Sequence, residues 1–331
     1  MFNRQTEHRG LLPRLAAIAL CAVLALALCG CQTQTEVPSN LDPQLPSGTT
    51  MSDGTLTVGV NASNAPYAGT NANNETVGLD VDIAAAIADE LGMKLQIVDV
   101  NSNGKSALAN GQCDVVMGMT KSGNATSVTY SSAYVNDGVS LFCLKDNAPK
   151  SVSDIDTSKG KVLAQGETTA AYLVQTALGV DAVQATSTMQ EAFESLVAGE
   201  QKYLVADAVI GSYFARNYSD VVRVGFMGAD CVTPIYAVTL TDNGELGAAI
   251  EQALDDIMQN GVLRVVNAKW LGAQGAALMP GQVDISTLPD TAFNGQVAVA
   301  QDADSDDEAA DEEEAADEES ADEDSDEGEE A

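Results

Sequence analysis

The chain has 331 residues, with 49 acidic and 15 basic side chains and a formal net charge of −34. Phosphate backbones are neutralised by lysine and arginine, so this balance excludes a nucleic-acid partner. The one histidine, His8, falls near the N-terminus and the cysteines do not sit at metal-ligand spacing, which excludes a zinc centre, and no cofactor motif stands elsewhere.

Residues 1–31 read as a targeting segment. Arg4, Arg9 and Arg14 precede an unbroken apolar run of fourteen residues, Leu15 to Leu28, which suits a signal h-region and is too short for a comfortable membrane span. The run ends in Leu28-Cys29-Gly30-Cys31. That tetrapeptide resembles a lipobox, with Cys31 as the lipidated residue that holds the protein to the membrane through two kinds of acyl chain. An ordinary signal peptide cut nearby is the alternative, and both carry the protein out of the cytoplasm. Residues 32–52 hold Pro38, Pro43 and Pro46 among Ser, Thr and Asn and read as a flexible tether. A tether of that length sets the folded part about 25 Å from the membrane.

The folding part begins with a strand over 55–60, where Leu56, Val58 and Val60 alternate. A loop, NAPYAG (64–69), leads to a helix in GLDVDIAAAIADELG (78–92), whose Ile83, Ile87 and Leu91 form one stripe before Gly92 stops it. A strand over 94–98, a helix over 105–110 closed by Gly111, and an apolar strand over 113–119 follow. The pattern restarts after residue 150. There is a strand at 161–164, a helix at 168–178 ended by Gly179, a helix at 190–198 with Gly199 behind it, a strand at 203–208 entering a helix at 209–216, and a strand at 221–225. Leu246, Ile250, Leu254 and Ile257 mark an amphipathic helix ending at Gly261, and the last element closes on LRVVNAKWLG. Strand and helix alternate throughout, which implies mostly parallel sheets covered on both faces. About 220 residues suffice for two lobes of about 110 each. Residues 301–331 carry 19 acidic side chains and no base, a composition that reads as disordered and leaves −15 for the rest. Three cysteines lie beyond the targeting segment, Cys113, Cys143 and Cys231; one disulfide plus a thiol and three buried thiols both remain open.

Several segments together resemble the family 3 extracellular solute-binding proteins, the polar amino-acid receptors of ABC importers. These are GLDVDIAAAIADELG with its acidic turn, ALANGQCDVV (107–116), YSSAYV (130–135), AQGETTAAY (164–172), LVADAVIGSY (204–213) and AKWLG (268–272). The resemblance spans roughly 53–272. It implies an α/β fold of the two-lobed, periplasmic-binding-protein-like type II kind, with two mostly parallel sheets, a cleft between the lobes and a two-strand hinge. Lobe 1 would be 53–143 plus 236–275 and lobe 2 would be 144–235, with connections near Leu144–Asn147 and Val232–Ile235. Residues 276–331 would be a disordered linker and tail.

The resemblance also assigns ligand contacts. Asp207 stands where the family's ammonium-binding aspartate stands; an N-cap for the helix from Val209 is the other reading. Tyr67 stands where an aromatic meets the ligand, and Thr168 opens the helix after Gly166. The family's carboxylate-clamping arginine is missing, since no arginine lies between Arg14 and Arg216 and the matching place is Gly123 or Asn124. Lys121 could supply the charge without the forked geometry of a guanidinium. Glu167 replaces a threonine and either points to solvent, leaving the contact to Thr168, or itself occupies the anion site or pairs with a cationic ligand. Asn64, Asn101, Thr120 and Tyr134 are further candidates. Asp80 and Asp82 read as turn and cap groups, and Trp270 as a core anchor. The chain carries no nucleophile motif, phosphate loop or metal cluster. The expected function is therefore non-enzymatic: a lipid-anchored, extracytoplasmic receptor that hands a small polar solute, an amino acid or related amine, to ABC permease subunits after hinge closure. A surface interaction or sensor module without transport, and a dehydratase-like enzyme on the same fold, are the alternatives.

Overall fold

The computed structural model describes residues 41–280 apart from 122, 124, 125 and 151–153. The targeting segment, Cys31 and the acidic tail fall outside the described residues. The first half builds β1 (Thr55–Val60), a small ladder of β2 (Gly69–Thr70) and β3 (Thr76–Val77), α1 (Leu79–Glu90), β4 (Lys94–Asp99), α2 (Gly104–Ala109) and β5 (Val115–Met119). A single 17-residue strand, β6 (Val128–Leu144), comes next. The second half contains β7 (Val162–Gln165), α3 (Thr169–Leu178), β8 (Val183–Thr186), α4 (Met189–Val197), β9 (Tyr203–Asp207), α5 (Ala208–Ala215) and β10 (Val221–Phe226). The chain then returns through β11 (Val232–Leu240), α6 (Gly244–Gln259), α7 (Val262–Leu271) and a 3-10 turn over Gly272–Leu278.

The helices form where their apolar stripes and caps direct. Ile83 and Ile87 of α1 and Leu246, Ile250, Leu254 and Ile257 of α6 are buried in one cluster. The side chains of Thr168, Thr188 and Asn243 each accept a backbone N–H in the first turn of α3, α4 and α6, satisfying donors that have no partner within the helix. The strands order as β4-β1-β5-β11-β6 on one side and β6-β9-β7-β8 on the other, with β10 also on β6. β1 runs parallel to β4 and β5, and β7 parallel to β8 and β9, while every pairing of β6 and β11 is antiparallel. This is the expected two-lobed α/β architecture.

Three boundaries differ from the sequence reading. The change of sheet occurs within β6, which pairs with β11 up to Gly138 and with β9 from Val139, several residues ahead of the expected connection at Leu144–Asn147. Gly138 is needed there: its φ is +120° and a Cβ would collide with the Cys231 carbonyl of the neighbouring strand. The supposed tether is folded from residue 41 onward. Leu45 packs on the first core, the Asn243 side chain donates to the Thr49 carbonyl, and the Met51 N–H donates to Asp114. At the other end Leu278 and Met279 are buried in the same core, so the domain runs past the expected end at 275. Cys113, Cys143 and Cys231 are buried free thiols.

Candidate functional site

The registers bring the carboxyl ends of the parallel strands of both lobes to the crossing. β5 ends at Met119 opposite Tyr236, near the start of β11, and β9 ends at Asp207 opposite Val139, where β6 changes sheet. In open α/β folds this edge is where ligands lie.

At the crossing sits Asp137 of β6, a residue that sequence reasoning missed. Its carboxylate accepts the Tyr67 hydroxyl at 2.6 Å and the Val209 N–H at 2.9 Å. One lobe contributes the phenol and the other contributes the start of α5, so a single carboxylate ties the two at the hinge. Burial nevertheless pushes its acidity toward the neutral form, against the pull of these donors. The signal was present in the sequence as an Asn-Asp pair inside an otherwise apolar stretch, VNDGVSLFCL, where a polar group must find partners.

Asp207 occupies the N-cap position of α5, yet its side chain makes no capping bond because Asp137 has taken that role. Its half-buried carboxylate accepts no hydrogen bond from the described residues. Burial first, and the neighbouring Asp137 second, raise its pKa to about 7. Tyr67 is buried, and its hydroxyl reaches Asp137, not Asp207; burial and the two nearby acids push that phenol well up.

The remaining candidates spread more widely. Lys121 is exposed just beyond β5, its ammonium 4.4 Å from the centroid of Tyr236 and 5.8 Å from that of Tyr130. It lines a groove of about 580 Å³ with Asn136, Pro234, Tyr236 and Glu251, which neither Tyr67 nor Asp207 reaches. Thr168 spends its hydroxyl on the α3 cap and on the Gln165 carbonyl. Glu167 is exposed with φ +60°, a left-handed turn. Thr120 is half-buried at the end of β5, while Asn64 and Asn101 are exposed in the loops after β1 and β4. Tyr134 is fully buried, donating to Asp80 and accepting from the Gly118 N–H, and it packs in the same core as Tyr67. Its partner Asp80 is no surface turn residue; burial raises its pKa to about 7 against that hydrogen bond. Asp82 likewise caps nothing and accepts instead from the Trp270 indole at 2.6 Å, beside Lys269.

One cation lies buried behind the crossing. The Arg223 guanidinium donates to the Ser140 hydroxyl at 3.0 Å and stacks 4.1 Å from the Phe226 ring, with Nη2 lacking a partner among the described residues. Burial lowers its pKa to about 10, and the charge of Asp137 opposes that shift.

The arginine-binding extracellular protein ArtP of Bacillus subtilis is 25% identical over 271 residues, 77% of this chain and 96% of that protein. The L-cystine-binding protein TcyA of the same organism is 23% identical over 263 residues, 78% and 96% of the two chains. Among solved structures, an ancestral cationic amino acid solute binding protein, AncCDT-1, superposes with a TM-score of 0.57 at 28% identity, covering 66% of this chain and 96% of its own. The model of the bacterial extracellular solute-binding proteins, family 3, matches residues 56–273, and the chain belongs to that family.

Proposed function

We propose that this protein is the extracytoplasmic receptor of an ABC importer, gripping a small amine-bearing solute, an amino acid or related amine, by closure of two lobes about β6 and β11. The observation that carries this reading is Asp207: a half-buried carboxylate at the strand edge, without a hydrogen bond among the described residues and beside a second acid, Asp137, that accepts from Tyr67 and Val209. A partly desolvated carboxylate whose acceptors stand open is suited to a ligand's donor. The relatives named for arginine and cationic amino acids agree with an acidic pocket. Binding and closure need no bond chemistry. Lipidation of Cys31 would keep the receptor at the membrane beside its permease subunits.

Thermal unfolding of the purified protein against amino acids and small amines tests the reading. A true ligand at a hundredfold excess over its Kd stabilises by about 2.7 kcal/mol. Asp207→Ala is expected to abolish the shift given by an amine-bearing hit. An unchanged shift removes Asp207 from the site, and silence across the whole panel removes the receptor reading.

A further inference from the structure

The groove beside Lys121, about 580 Å³ in volume, lies in the size range of small-molecule sites, and neither Tyr67 nor Asp207 lines it. Its acid, Glu251 of α6, is already engaged: one oxygen accepts the Ser132 N–H at 2.6 Å and the other the Ser132 hydroxyl at 2.5 Å. The Ser131 hydroxyl is engaged as well, donating to the Ser132 carbonyl and accepting the Ala237 N–H. The Lys121 ammonium and the Asn136 amide are not. Among the described residues Lys121 has no ion pair and no hydrogen bond; its ammonium rests 4.4 Å from the centroid of Tyr236 and 5.8 Å from that of Tyr130. The two rings meet edge-on, 5.7 Å apart at 79°, so the platform under the ammonium is itself braced. Asn136 is only 6% exposed, lines the groove, and has no hydrogen bond to its side chain among the described residues. A buried amide normally finds partners, so this one is open to a ligand.

We propose that this groove is a second binding site, separate from the Asp207 edge, for a small organic acid: one carboxylate on a flat apolar body that carries a further hydrogen-bonding group. One ammonium matches one negative charge, and a charge-assisted hydrogen bond is stronger than the contact of an exposed ammonium with a ring. The apolar body rests on Ala133, Pro234 and Ala248, while Gly247 of α6 leaves width for it. The Asn136 amide, which both donates and accepts, takes the further polar group. A cation in the same place would meet the like charge of Lys121 and an acid whose two oxygens are already in use. The chain's net charge of −34 opposes an approaching anion, but salt screens that field over about 8 Å and leaves the local contacts to decide.

Isothermal titration of the full-length protein with 4-hydroxyphenylacetate and with 4-hydroxyphenylacetamide, which share a body and differ in charge, tests the proposal. The acid is expected to bind with a Kd about tenfold or more below that of the amide. Lys121→Met is expected to bring the acid to the level of the amide, and Lys121→Arg to keep the preference. Ala248→Phe, which fills the groove from α6, is expected to abolish binding of the acid. Lys121 and Ala248 are both exposed, so these variants keep the fold. An acid that binds no more tightly than its amide, or that binds Lys121→Met as it binds the wild type, overturns the carboxylate partner. Binding that survives Ala248→Phe overturns the groove as its place, and no binding of the acid at millimolar concentration overturns the site. None of these substitutions touches Asp207, so each result leaves the receptor reading to its own test.

Discussion

Two aspartates side by side have opposite effects on the ligand-free protein. Asp137 accepts the Tyr67 hydroxyl and the Val209 N–H, so Asp137→Ala orphans that hydroxyl and the amide at the start of α5, a loss of roughly 3–5 kcal/mol for a buried and paired charge. Asp207 accepts none from the described residues and pushes against Asp137, so Asp207→Asn removes a strained charge while keeping the shape. We expect Asp207→Asn to raise the melting temperature of the free protein at pH 8, where each kcal/mol is about 2–4 °C for a chain of this size. The gain is pH-dependent, with a definite sign. The folded pKa of Asp207 is raised to about 7, above the unfolded value near 3.9. Stability linked to the group is therefore fully present below the unfolded value and is lost as pH rises through 7. The variant should show little advantage at pH 4 and its full advantage at pH 8. Calorimetric scans of both proteins at the two pH values check this; a wild type that melts higher than Asp207→Asn at pH 8 would mean that Asp207 has an internal partner.

The strand β6 is the element on which both lobes hang, and Gly138 is where it changes neighbours. Gly138→Ala adds a methyl group against the Cys231 carbonyl at a φ of +120°, so β6 and β11 are forced apart at the crossing. The expected cost is at least about 2 kcal/mol from the backbone strain and the lost packing together. Urea unfolding would report it as a lower midpoint, and an unchanged midpoint would show that the crossing is slack. This strand was the hardest to read from the chain. Helices announced themselves through stripes such as Ile83–Ile87 and Leu246–Ile257, and outer strands through alternation or turn residues. Within β6 one end is edge-exposed and the other is buried on both faces, so neither alternation nor a bounded apolar run marks it. The candidate site divides in the same way. The place of Asp207 at the end of β9 was legible because a strand end meeting a helix start is a local feature. Asp137 acquires its role only when a phenol 70 residues upstream and an amide 72 residues downstream converge on it, which no local pattern encodes. Tyr134 finds its partner in the same long-range way: its hydroxyl donates to Asp80, 54 residues away, inside the core.

On the scale of the whole molecule, the folded unit is longer than the matched family segment at both ends. The strap over residues 41–52 supplies the partner of one Asp114 oxygen and of the Asn243 amide, and the closing turn places Leu278 and Met279 in the core. That same turn reaches across to the other lobe, where the Gln274 side chain accepts the Arg223 N–H and donates to the Val221 carbonyl at 3.2 Å. Beside it, Tyr213 of α5 stacks on Trp270 of α7, and Arg216 donates to the Lys269 and Trp270 carbonyls. The two lobes are therefore joined by packed side chains at the end of α7 as well as by the crossing strands. A chain cut to 53–275 loses two buried apolar side chains, worth about 1.5–3 kcal/mol each, and leaves buried polar groups without partners at about 1–3 kcal/mol each. We expect the 53–275 segment to melt at least about 10 °C below the 41–280 segment, given about 2–4 °C per kcal/mol. Restoring only 276–280 should recover the apolar part, and restoring only 41–52 the polar part. Gln274, Trp270 and the Arg216 contacts stay in every one of these chains, so small-angle scattering of the ligand-free proteins should give the two restored chains equal radii of gyration; a larger radius where 276–280 are missing would mean that these last residues also hold the lobes together.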